Sequence, residues 1–108
     1  IQGRKILVLG DMLELGNDEE VFHAAAGHNA AAAGADLVIG VGRLVRCSLD
    51  AAREDGVRET YLASDPGAAV RYLQGKLRAG DLVLVKGSRS VRLDRVVKQL
   101  LERRQEAS

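Results

Sequence analysis

The sequence predicts an α/β fold, with an open, mostly parallel sheet flanked by helices. Three observations carry that expectation. Strand-like segments recur at residues 5–9, 37–41, 59–62 and 81–85, and a helical pattern follows each one. The strand segments are short and largely apolar on both faces, as parallel strands covered by helices must be. Glycines stand where helices should stop, at Gly34, Gly56 and Gly80.

Lys5 to Leu9 make the first strand, closed by Gly10. After a loop, Asn17 is a good helix N-cap, and Glu20, three residues on, completes a capping-box pattern. Asp18, Glu19 and Glu20 suit the positive end of the helix dipole. This alanine-rich helix is expected to run to about Ala33. Leu37 to Val41 form the second strand, followed by a helix from about Arg43 to Asp55. Glu59 to Leu62 form the third. Asp65 then caps a helix with Pro66 at its first position, where a missing N–H costs nothing. That helix presents Ala69, Val70, Leu73 and Leu77 on one face and is expected to end at Gly80. Asp81 to Val85 form the fourth strand. A last helix begins near Val91, with Leu93, Val96, Val97, Leu100 and Leu101 in an amphipathic stripe, and a polar tail follows. Right-handed crossovers make the architecture Rossmann-like. Strand order stays open. In the order 3-2-1-4 the first and fourth strands are neighbours, and their loops meet at a switch point. Another strand between them would instead leave a gap.

At 108 residues the chain is expected to be a single domain, 1–108. With 46% hydrophobic and 29% charged residues it has the profile of a globular domain. Only Phe22, Tyr61 and Tyr72 are aromatic, which argues against base stacking. A net charge of +1 gives no drive toward nucleic acid or an anionic membrane. Cys47 is the only cysteine, which excludes an internal disulfide and fits a reducing cytoplasm; its place in a helical pattern marks it as a small packing residue. Ile1 opens the chain and the only methionine is Met12, so a piece of a longer protein is expected.

Open α/β sheets bind ligands beyond the carboxyl ends of their strands. Two loops there carry polar chemistry. From Asp11 to Glu20 there are five acids and no base; from Lys86 to Arg104 there are seven Lys or Arg against two acids. A parallel sheet sets both on one rim. In Lys86-Gly87-Ser88-Arg89-Ser90, backbone N–H groups at a helix start favour an anion, and Arg89 can grip a carboxylate or phosphate with two hydrogen bonds. A capped turn with solvated bases is the plain alternative. The spacing of a Walker phosphate loop is absent. Asp11 is suited to accept from sugar hydroxyls, to bind a cation or to cap its turn, and residue chemistry does not choose among these. Gly40-Val41-Gly42-Arg43-Leu44 lacks the third glycine and the downstream acid of a dinucleotide fingerprint. His23 and His28 are five apart, off the spacing of a helical metal pair, and are expected at the helix surface or partly buried.

Together, Gly10-Asp11-Met12-Leu13-Glu14-Leu15-Gly16, His23, and Lys86-Gly87-Ser88-Arg89 ahead of a basic amphipathic helix resemble the C-terminal domain of the Mur ligases. These are ATP-dependent enzymes of peptidoglycan synthesis, and the first motif resembles the member that adds D-alanyl-D-alanine. The resemblance runs in order over essentially all 108 residues. It implies an enzyme of three domains. The first binds UDP-N-acetylmuramoyl-tripeptide, the central one holds the ATP phosphates and Mg2+, and the third closes over the site with the incoming dipeptide. The tripeptide carboxylate becomes an acyl phosphate, which the dipeptide amine attacks.

The same resemblance puts Asp11 and Met12 at nucleotide-binding positions, and Leu13, Lys86, Ser88 and Arg89 at positions that bind D-alanyl-D-alanine. None of them is catalytic or holds a metal, and the role of His23 stays open. It also implies a cytoplasmic monomer with no nucleic-acid or membrane partner. The family's third domain begins one strand and helix earlier, so the fragment alone is expected to be inactive. A rival from another class is a stand-alone Rossmann-like regulatory module that binds a small anion or a nucleotide. A closer rival is a folylpolyglutamate synthase, against which the Asp11-Met12-Leu13-Glu14 run argues.

Overall fold

The computed structural model describes residues 4–11, 18–77 and 80–86. They form β1 (Lys5–Gly10), α1 (Glu19–Ala32), β2 (Leu37–Val41), α2 (Arg46–Glu54), β3 (Glu59–Ala63), α3 (Pro66–Gln74) and β4 (Leu82–Lys86). The sheet is parallel throughout, in the order β3-β2-β1-β4. β1 and β4 pair directly, from Lys5 opposite Leu82 to Leu9 opposite Lys86, so no strand lies between them.

Alternation along the strands divides the core between two faces. Ile6, Val8, Leu37, Ile39 and Val41 meet Ala69, Val70 and Leu73 of α3. Leu9 and Val38 meet Ala30, Val45, Leu49 and Ala52 on the other side, where α1 and α2 lie. The split follows from handedness. The path β1 to β2 to β3 runs one way across the sheet and the return to β4 runs the other, so right-handed crossovers put α3 opposite α1 and α2. Burial of each of the Val, Leu and Ile side chains among them stabilises the fold by about 1.5–3 kcal/mol.

Helix ends are set by backbone chemistry. At the end of α1, Gly34 takes φ +83°. Its N–H donates to Ala31 O (3.0 Å) and that of Ala35 to Ala30 O (3.1 Å), a Schellman closure. The same two bonds recur after α2, from Gly56 to Arg53 O (3.1 Å) and from Val57 to Ala52 O (3.0 Å). At α3, Asp65 accepts from Ala68 N–H (2.8 Å) and Pro66 opens the helix, as the sequence predicts.

Three boundaries differ from expectation. α1 starts at Glu19 with Asp18 at its N-cap and no side-chain cap bond; Asn17 lies outside the described residues. α2 starts at Arg46 rather than Arg43, because residues 43–45 form a separate turn. α3 stops at Gln74 rather than Gly80: Gly75 is its C-cap, and the N–H groups of Lys76 and Leu77 both donate to Leu73 O (2.9 Å each). Leu77 therefore packs on the core from beyond the helix. The helix expected from Val91 and the polar tail lie outside the described residues.

β4 ends the sheet. Its Val83 and Val85 pack toward α3, whereas Leu82 and Leu84 on the other face are 52% and 51% exposed. Among the described residues no helix is long and apolar enough to cross a membrane.

Candidate functional site

The site is built from the carboxyl ends of adjacent parallel strands. Asp11 follows Gly10 at the end of β1, and its side chain falls on the α1/α2 face with Leu7 and Leu9. Its N–H donates to Val41 O (3.2 Å), which extends the β1–β2 ladder by one bond. Its carboxylate is buried and turned toward the β2–α2 turn. One oxygen accepts from Arg43 N–H (3.0 Å) and the other from Val45 N–H (2.9 Å). Of the three roles open to Asp11, a capping role is thus present, but on a neighbouring turn rather than its own. The two amides are the orphan donors ahead of α2, and a carboxylate there meets the positive end of that helix.

Gly42 makes room for this contact. It has φ +123°, and a Cβ added to it would lie 2.5 Å from the Asp11 carboxyl carbon. Gly40 serves packing instead: a Cβ there would lie 2.8 Å from Val45 Cγ1. The two glycines of Gly40-Val41-Gly42 are accounted for by these contacts, in line with the missing dinucleotide fingerprint. The same turn brings Arg43 and Arg46, both exposed, to the rim that carries Asp11. Gly42 and Arg43 were not legible as site-shaping residues, although their position just after a parallel strand was a signal for the rim.

Lys86 ends β4 and is exposed. Its register partner is Leu9, so β1 and β4 end side by side, and Lys86 shares the sheet face of Asp11. Met12, Leu13, Ser88 and Arg89 lie outside the described residues.

The histidines do not join this rim. His23 is fully buried, against the expectation of a surface or partly buried position. The reason is the close approach of α1 and α2. The His23 Nδ1–H donates to Glu19 O (2.6 Å) one turn back, and the Ser48 hydroxyl of α2 donates to the His23 carbonyl. His28 is exposed and lies 2.7 Å from Asp55. Cys47 is half-buried. Among the described residues no group of three or more His, Cys, Asp or Glu could hold a metal ion.

The opposite rim carries the strongest electrostatic coupling. Tyr72 donates its hydroxyl to Glu59, stacks on Tyr61 with ring centres 3.9 Å apart, and has Lys76 Nζ 5.4 Å from its ring centre. Burial pushes the Tyr72 phenol up to about 12, and the bond to Glu59 acts in the same direction. That bond, helped by Lys76 and opposed by burial, holds Glu59 below the usual carboxylate range. Arg4, just before β1, pairs with Asp81, just before β4 (2.8 Å), and this hydrogen bond raises the Arg4 pKa further. The first set ties α3 to the start of β3 and the second joins the starts of β1 and β4, away from the rim of Asp11 and Lys86.

Comparison with known proteins agrees with this geometry. Residues 1–89 match the model of the Mur ligase, glutamate ligase domain. The chain is 38% identical over 104 residues to the UDP-N-acetylmuramoyl-tripeptide–D-alanyl-D-alanine ligase of Bacillus subtilis, and 37% identical over 102 residues to that of Escherichia coli. Each match covers 93% of this chain but 22% of the relative, so the chain spans about a fifth of their length. A crystal structure of MurF ligase from Thermotoga maritima in complex with ADP superposes with a TM-score of 0.76 at 25% identity, over 98% of this chain and 23% of that one. A MurF structure from Acinetobacter baumannii gives a TM-score of 0.78 at 24% identity, over 94% of this chain and 23% of that one. With this order of strands, this rim and these relatives, the chain belongs to the Mur ligase family, in its glutamate ligase domain.

Proposed function

We propose that the chain is the substrate-delivery domain of an ATP-dependent ligase that adds D-alanyl-D-alanine to UDP-N-acetylmuramoyl-tripeptide in peptidoglycan synthesis. The observation that supports the reading is the direct pairing of β1 with β4, which ends the two strands with Asp11 and Lys86 on one rim. The names of the relatives supply the substrates, and the ADP complex of the Thermotoga relative supplies the nucleotide.

In this reading Asp11 and Met12 face the nucleotide, while Leu13, Lys86, Ser88 and Arg89 receive the dipeptide. Attack on an acyl phosphate needs the amine held close and aligned, an effect of orientation. A domain that holds the dipeptide carboxylate on one loop and meets the nucleotide with the next delivers that alignment by closing. It needs no general base of its own. In this reading Mg2+ and the ATP phosphates fall to the central domain of the full-length enzyme. The domain acts only within that enzyme, a cytoplasmic monomer.

We also infer that the domain continues upstream by one strand and one helix. A strand added beyond β4 and crossing to β1 travels in the same direction as β1 to β2. A right-handed crossover then carries its helix over the α1/α2 face. That is the face on which Leu82 and Leu84 are exposed.

The test is kinetic. In the full-length enzyme, Ser88→Ala and Arg89→Ala should raise KM for the dipeptide far more than KM for ATP. An unchanged dipeptide KM in both variants would sink the assignment of that loop.

A further inference from the structure

We infer that His23 and Ser48 are positioning residues for the dipeptide site: together with Asp11 they fasten both ends of the 12–17 segment to the start of α2. The inference rests on the reading above, which gives Leu13 of that segment to the dipeptide, and deepens it.

Among the described residues the buried polar side chains are Asp11, His23 and Ser48, at 8%, 0% and 1% exposure, and all three meet at one joint. The Asp11 carboxylate, at the end of β1, accepts from the Arg43 and Val45 amides just ahead of α2. The His23 ring, in the second turn of α1, donates from Nδ1 to Glu19 O (2.6 Å) in the first turn. The Ser48 hydroxyl, in the first turn of α2, donates to the carbonyl of the same histidine. Residues 12–17 run between Asp11 and Asp18. One end of the segment is therefore tied to the turn before α2. The other is tied to Ser48 through the first turn of α1, where Asp18 makes no side-chain cap bond of its own. The two helices cannot slide to relax this joint. One turn beyond His23, a Cβ on Gly27 would lie 2.0 Å from Ser48 O and 3.0 Å from Ala51 Cβ.

Stability alone does not call for polar groups at this place. Apolar side chains of similar volume often fill a core as well or better, whereas a satisfied polar network selects one arrangement over its neighbours. Here the arrangement selected is the separation and direction of the two ends of a short segment. Fixing both ends before substrate arrives removes part of the ordering cost of binding. It also serves the alignment of the incoming amine, where a misplacement of about 1 Å is costly. His23 and Ser48 do this from inside the domain, without standing on the rim.

The experiment uses the full-length ligase. Ser48→Ala removes the hydroxyl, and Ser48→Thr keeps it. His23→Leu removes the ring donor, and His23→Asn keeps a donor close to the place of Nδ1. Asp65→Ala, which uncaps α3 on the opposite face of the sheet, is the control for lost stability. The dipeptide KM and kcat are measured, together with amide hydrogen exchange over residues 12–17. Ser48→Ala and His23→Leu are expected to raise the dipeptide KM roughly fivefold, as the loss of one hydrogen bond would, and to speed exchange over residues 12–17. Ser48→Thr and His23→Asn should return both readouts toward wild type. Asp65→Ala should lower the thermal midpoint and move neither. A rise in dipeptide KM as large in Asp65→Ala as in Ser48→Ala would reduce the pair to stability alone and overturn the inference. A wild-type dipeptide KM in Ser48→Ala, beside a raised one in Leu13→Ala, would overturn it and leave the reading standing. A wild-type dipeptide KM in both Ser48→Ala and Leu13→Ala would overturn the two together. Should His23→Leu fail to fold, Ser48→Ala decides.

Discussion

Gly27 and Ser48 hold α1 and α2 in backbone contact: a Cβ on Gly27 would lie 2.0 Å from the Ser48 carbonyl oxygen. The neighbour is main chain within a helix and cannot swing aside. Gly27→Ala should therefore destabilise the domain by about 3 kcal/mol through overpacking, despite the better helix propensity of alanine. Urea unfolding monitored by circular dichroism measures this, and a loss below about 1 kcal/mol would contradict the contact.

The helix starts differ in how they are capped, which gives a paired prediction. Asp65 accepts from Ala68 N–H (2.8 Å), so Asp65→Ala should cost about 1 kcal/mol. Asp18 makes no side-chain cap bond, and Asp18→Ala should cost only what the helix dipole contributes, roughly 0.3–1 kcal/mol and screened by salt. Thermal melts of both variants at low and high salt separate the two terms.

Alkaline stability should depend on Tyr72. Its folded pKa is about 12 against an ordinary value of 10.0. The folded state thus holds the phenolic proton more tightly than the unfolded chain, and this contribution is complete below pH 10.0 and lost as pH rises toward about 12. Tyr72→Phe should flatten the fall in stability across that window while lowering stability at neutral pH. Glu59 works at the other end. Its folded pKa is lowered, so its contribution is complete above the ordinary carboxylate value of 4.5 and is lost as pH falls through the lowered one. Denaturant midpoints for wild type and Tyr72→Phe, taken across both windows, check the two signs.

The exposed face of β4 gives a prediction about a longer chain. Extending the protein upstream should slow amide hydrogen exchange in Leu82–Lys86 and protect Leu82 and Leu84 from solvent. Equal exchange rates in the short and long chains would count against an upstream strand on that edge.

Much of this fold was legible because its signals are local. β2 reads as a continuous apolar run and spans the residues expected of it. The Asp65-Pro66 start and the glycines after α1 and α2 act within a few residues of chain. What could not be read depended on distant partners. His23 looks like a surface residue on a helix whose buried face is otherwise alanine and glycine, and only the approach of α2 puts it inside. Residues 43–45 carry a helical pattern, yet they form a turn because the Asp11 carboxylate, 32 and 34 residues away, takes two of their amides. For the site, strand-end position revealed the rim and the places of Asp11 and Lys86, but not the direction in which the Asp11 side chain turns. That direction depends on an empty volume at Gly42, and a sequence lists residues rather than spaces.

The pairing of β1 with β4 also has a kinetic meaning. The bond between Arg4 and Asp81 closes a loop of 77 residues, whereas β1–α1–β2 and β2–α2–β3 assemble from near neighbours in the chain. Loop closure over that span is slow relative to local pairing, because its entropy is lost before any contact compensates. β4 should therefore join late during folding and leave early during partial unfolding. The proposed dipeptide loop is attached to this last-arriving strand, whereas Asp11 belongs to the early core. A domain that has released β4 would keep most of its helix content and its acidic loop yet have no complete rim, so a helical circular-dichroism signal alone is no measure of a competent domain.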